Sequence, residues 1–123
     1  MRGDLGAYWK SIARGRDFSV QAVARERREL AIARAEDAVQ RQRGYILDFK
    51  MFSDLSLNMV IELSGGGVLA LVDALAALGW HVDVDPDRDA LAGRAADRLE
   101  GTFQVTFPEG EGDLIIPVPA VPG

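Results

Sequence analysis

Residues 45–84, YILDFKMFSDLSLNMVIELSGGGVLALVDALAALGWHVDV, carry two different hydrophobic periods, and the change from one to the other decides the fold. Tyr45, Leu47, Phe49 and Met51 alternate with Ile46, Asp48 and Lys50. After a short turn at Ser53, Asp54 and Leu55, the residues Leu57, Met59, Ile61 and Leu63 alternate with Asn58, Val60 and Glu62. Period two over two adjacent runs predicts a hairpin of half-buried strands. Ser64 and three glycines end the second run, and the period changes to that of a helix. Val68, Leu71, Val72, Leu75 and Leu78 fall at the spacing of one helical stripe, which Gly79 closes. Trp80, Val82 and Val84 then alternate with His81, Asp83 and Asp85, a third strand.

Outward from this stretch, residues 19–43 hold no Gly or Pro and are rich in Ala, Arg, Glu and Gln. Those residue types favour a helix, with Asp17 or Ser19 as its cap and Gly44 as its stop. Its apolar face is mostly Ala, which suits close packing on a sheet. On the other side, Pro86 stops the third strand and opens a short helix within residues 86–100, striped by Leu91, Ala95 and Leu99. Phe103, Val105 and Phe107 against Thr102, Gln104 and Thr106 make a fourth strand. Leu114–Val118 reads as a last edge strand. The domain spans 19–118, with an N-terminal arm at 1–18 that carries Tyr8, Trp9, Ile12 and Phe18, and an extended, Pro-rich tail at 119–123.

The expected fold class is α+β, a ferredoxin-like sandwich in the permuted order α-β-β-α-β-(α)-β-(β). Its sheet is antiparallel and both long helices cover one face. The other face is open and carries Ile46, Asp48, Lys50, Val60, Glu62, His81, Asp83, Thr102, Gln104 and Thr106. An open face with aliphatic members needs a partner, so a homodimer is expected.

Composition narrows the function classes. The 123 residues contain no Cys, so disulfides, thiolate nucleophiles and Cys-ligated metals are excluded. Lys and Arg number 14 against 19 Asp and Glu, a net charge of −5. Residues 14–43 carry +3 and residues 44–123 carry −9. The acidic body repels nucleic-acid backbones and anionic membranes. Arg25, Arg27, Arg28 and Arg34 lie in the basic stretch, but interleaved acids dilute them and no aromatic residue is near to stack on bases. No nucleic-acid partner is expected. No apolar run is long enough to cross a bilayer, and the first residues lack the apolar core of a secretory signal. The expected setting is cytoplasmic, with no membrane partner.

Three features could carry chemistry. Gly65, Gly66 and Gly67 behind Ser64 would expose backbone N–H groups at a helix N-terminus, where a small anion or metabolite could bind. Neither GxxxxGK[ST] nor GxGxxG is present, and a sharp turn that allows close helix packing explains the same glycines. Asp83, Asp85, Asp87 and Asp89 alternate as in a calcium loop, but Arg88 or Ala90 stands where the loop needs Gly. A helix cap followed by Pro86 accounts for them, and no metal or cofactor is expected. His81, the single histidine, falls on the proposed open face. With Lys50 and Asp48 it forms the candidate acid–base set of an alternative, enzymatic reading.

Residues 60–84 also resemble the strand–loop–helix–strand core of ACT domains. Those domains carry an apolar strand, an Asp-x-Pro-Gly-x-Leu-like loop, a helix and then Gly-Ile-x-Val. Gly67, Leu69 and Gly79 fit by position. The loop Asp and Pro are replaced by Ser64 and Gly66, and a helix opening at Pro86 displaces the family's next strand. The resemblance implies a dimeric, non-catalytic regulatory module that binds a small metabolite near Ser64, Gly65, Gly66 and Gly67.

Overall fold

A computed structural model describes residues 17–107. In chain order the elements are β1 (Phe18–Val23), α1 (Arg28–Arg41), β2 (Tyr45–Ser53), β3 (Ser56–Ser64), α2 (Gly65–Ala77), β4 (His81–Asp85), α3 (Arg88–Ala92) and β5 (Arg98–Thr106). The fold is α+β. Five strands form one open sheet in the order β2-β3-β5-β1-β4.

The hairpin, the helix after it and the third strand lie where the periodicities put them. Residues 17–27 do not. The expected helix over 19–43 begins only at Arg28, and Phe18–Val23 is a strand in the middle of the sheet. Phe18, Val20, Ala22 and Ala24 are all buried, a period of two that helix-favouring composition obscured. No Gly or Pro separates this strand from α1, and Arg27 offers no side-chain cap to mark the helix start. The permuted, helix-first order is therefore corrected to one that starts with a strand. Phe18, read as the last residue of the arm, opens β1. The arm before it, Leu114–Val118 and the tail lie outside the described residues.

The expectation of an antiparallel sheet is also corrected. β1 runs parallel to β5, with Val20 opposite Phe103, while every other neighbouring pair is antiparallel. The helix expected within 86–100 is one short turn, and β5 begins at Arg98. Leu99 is thus a buried strand residue and not part of a helical stripe.

A single core lies between the sheet and the two long helices. β3 contributes Leu57, Met59, Ile61 and Leu63, and β5 contributes Leu99, Phe103 and Val105. From above come Ala31, Ala35, Ala38 and Val39 of α1, and Val68, Leu71, Val72 and Leu75 of α2. Because alternate strand residues are buried and their neighbours are not, both helices cover the same face. Alanines let α1 sit close to the sheet. Gly101 does the same job within it: a Cβ there would lie 2.4 Å from the Phe18 ring.

The uncovered face is built in rows, because residues paired across strands point the same way. One row crosses the whole sheet as Lys50, Asn58, Gln104, Gln21 and Asp83. The next reads Asp48, Val60, Thr102, Ser19 and Asp85. Ile46, expected here, is opposite Ile61 and packs against the core. A β-bulge between Ile46 and Asp48 shifts the phase of the strand, so Phe49 and Met51 face the helices while Asp48 and Lys50 face outward.

Candidate functional site

The glycine loop predicted as an anion site is engaged internally. Ser64 is the N-cap of α2, and its Oγ accepts the Gly67 N–H at 2.9 Å. The Gly65 N–H donates to the Asp97 carbonyl and the Gly66 N–H to the Ala95 carbonyl, both at 3.1 Å. The segment between α3 and β5 therefore folds onto this helix end and takes its free donors. A Cβ at Gly65 would lie 2.3 Å from the Arg94 carbonyl oxygen, so the glycine is required by close backbone packing. The three amides that would hold an anion already hold protein.

His81 is not near that loop. It pairs with Val23 at the end of the sheet where Ser56 begins β3, whereas Ser64 ends β3. Eight strand residues separate the two ends, roughly 26 Å. The His81 imidazole is exposed, and its Nε2 lies 3.3 Å from Oδ2 of Asp83. Lys50 and Asp48 share its face but sit on β2, at the opposite edge of the sheet from β4. Four strand spacings lie between those edges, roughly 19 Å. His81, Lys50 and Asp48 therefore cannot meet on one reacting atom, and the acid–base set drawn from them is not assembled.

The alternating aspartates are likewise dispersed. Asp87 caps α3, accepting the Ala90 N–H at 2.9 Å. Asp83 and Asp85 point outward from the edge strand. Among the described residues, no group of three or more His, Asp or Glu side chains is placed to hold a metal ion. No helix among them is long and apolar enough to cross a membrane.

The face the structure does assemble lies at the centre of the open side. Ser19, Gln21, Asn58, Val60, Thr102 and Gln104 line a recess of about 310 Å³, with Asp48, Lys50 and Phe52 along its β2 rim. Asn58, Gln104 and Gln21 are consecutive across three strands, about 4.8 Å apart. Each carboxamide has two donor hydrogens and an acceptor oxygen. Gln104 Nε2 lies 3.3 Å from Ser56 Oγ. Among the described residues, the side chains of Ser19, Gln21, Asn58 and Thr102 make no hydrogen bond. Of the recess lining, Asp48, Lys50, Val60, Thr102 and Gln104 are the residues the sequence places on the open face. Gln21 was hidden with β1, and Asn58 was seen only as the polar phase of β3.

A second, larger hollow of about 510 Å³ runs between α1 and α2 on the helical side, lined by Ala33, Arg34, Asp37, Ala38, Arg41, Ala74 and Leu78. Its charges pair locally. Arg41 Nε meets Asp37 at 2.7 Å, and Arg34 lies 3.7 Å from Glu26. Ala and Leu form the rest of the wall, leaving little to orient a small ligand.

Comparison with protein-family models, curated proteins and solved structures finds no match for this chain.

Proposed function

We propose that this chain is a non-catalytic binding module that takes a small polar ligand on its open sheet face. The observation that carries this is the run of carboxamides, Asn58, Gln104 and Gln21, placed side by side across the central strands. A protein surface gains little from three ordered amides, but a ligand with several hydrogen-bonding groups about 5 Å apart gains orientation from all of them. The recess is at the lower end of ligand-pocket sizes, which suits a metabolite and not a macromolecule. Two apolar side chains, Val60 and Val23, are the aliphatic members of this face, so burial against a second copy is a weaker use of it.

The framework is ferredoxin-like in this reading. Without β5, the elements run β-α-β-β-α-β and the strands order as β2-β3-β1-β4, with β5 inserted between β3 and β1. The ACT-like resemblance over 60–84 falls on β3, α2 and β4 of that framework. The small-ligand role it implies is kept, but on the sheet face and not at Ser64–Gly67.

A thermal-shift screen of free amino acids, nucleosides and nucleotides tests the proposal. A ligand at a hundred times its dissociation constant adds about 2.7 kcal/mol, roughly 10 °C or more for a domain of this size. The shift should vanish in Asn58→Ala and Gln21→Ala. A ligand whose shift survives both changes would remove the site from this face, and a screen with no shift at all would count against the proposal.

A further inference from the structure

β2 is an edge of the sheet, nine residues long, and it exposes apolar side chains on both of its faces, Phe49 and Met51 on the helix side and Tyr45 and Phe52 on the open side. Tyr45 and Phe52 are more than 60% exposed, Phe49 is 42% exposed and Met51 37%. The other edge, β4, is short and bears His81, Asp83 and Asp85, the charged pattern that discourages pairing. β2 lacks such a pattern save at two positions, Asp48 and Lys50. Neither belongs to an ion pair among the described residues.

The backbone of β2 shows which groups face outward. The Phe49 N–H donates to Oδ1 of its own neighbour, Asp48, at 2.9 Å, so it is not spent on β3. Backbone groups alternate between the two sides of a strand, so Phe49 and Met51 present theirs outward.

From these features we infer that β2 is a homotypic interface, where a second copy of this chain pairs antiparallel about a two-fold axis at Phe49. Phe49 is the midpoint of Tyr45–Ser53, so this register gives the longest overlap. It sets Phe49 opposite Phe49 of the partner subunit, where each N–H reaches the other's carbonyl. It also sets Asp48 opposite the partner's Lys50, and Lys50 opposite the partner's Asp48, on the open face. A register centred on Asp48 or on Lys50 instead puts like charges face to face, which destabilises a cross-strand pair. On the helix side only Phe49 meets its copy, and Met51 falls opposite Leu47 of the partner subunit. The result is a ten-stranded sheet with all long helices on one side. On pairing, Asp48 exchanges the Phe49 N–H for a lysine.

Sedimentation equilibrium of the full chain at low salt tests this with charge reversals at two exposed positions. Wild type should show a reversible dimer. Asp48→Lys and Lys50→Asp, each alone, should raise the dimer dissociation constant about tenfold or more, since each variant places like charges opposite one another twice. The double variant Asp48→Lys, Lys50→Asp should return to within about threefold of wild type, and circular dichroism should be the same for all four proteins. A wild-type chain that stays monomeric over the whole range overturns the inference. So does a dimer indifferent to the single reversals, or one the double reversal fails to restore. These outcomes do not bear on ligand binding at Asn58 and Gln21, which is read by thermal shift.

Discussion

Trp80 shows how one polar atom can tie together distant parts of the chain. It is 4% exposed, and its indole N–H donates to Glu26 Oε1 at 2.6 Å. Glu26 belongs to the link between β1 and α1, and Trp80 stands at the entrance to β4, so the contact fastens the helix entry to the edge of the sheet. Glu26 Oε2 also lies 3.7 Å from Arg34, whose buried Nε has no hydrogen-bond partner. Glu26→Ala would leave the indole N–H without its acceptor in a partly buried site, a loss of about 1–3 kcal/mol. Thermal unfolding should fall by roughly 5–15 °C. Glu26→Gln retains an oxygen at the same reach and should lose much less. Equal losses in the two variants would mean that packing, and not this hydrogen bond, holds Trp80.

At the level of elements, Ser64 separates a structural role from a ligand role. As the N-cap of α2 it satisfies the Gly67 N–H, so Ser64→Ala should lower stability by about 1 kcal/mol, read as a shifted urea midpoint at unchanged slope. Any ligand found should bind this variant as it binds wild type; lost affinity would return the site to the glycine loop. The elements that could be read from sequence are those whose period and punctuation agree. β2, β3, α2 and β4 are bounded by Gly, Ser or Pro, and their apolar spacing is regular. β1 was not legible because its alternation runs straight into α1 through Ala, Arg and Glu, residues whose propensity favours a helix. Burial in the centre of the sheet outweighs that propensity. The phase of β2 was legible only from Asp48 onward, since a bulge before it changes the pairing of Tyr45 and Ile46 without leaving a mark in the hydrophobic pattern. For the same reason Ile46 exchanged faces with the residues beyond it.

Across the whole molecule, the two sides of the sheet follow different rules. Among the described residues, the helix side is filled by aliphatic and aromatic residues with no buried charge, as stability requires. On the open side, the central strands carry Asn58, Gln21 and Gln104, although Asn is poorly suited to strands and β-branched residues are favoured there. The candidate site was only partly legible because it arises from register. Residues 21, 58 and 104 become neighbours through β5, which inserts between β3 and β1, and no local spacing announces that. If the amides are kept for binding, they are held at some loss of stability. Asn58→Thr should then raise the urea midpoint, by a gain on the order of 0.5 kcal/mol, while any ligand-induced thermal shift disappears. Loss of stability in this variant would show that Asn58 serves the fold, and the amide row would no longer stand out as a surface kept for recognition.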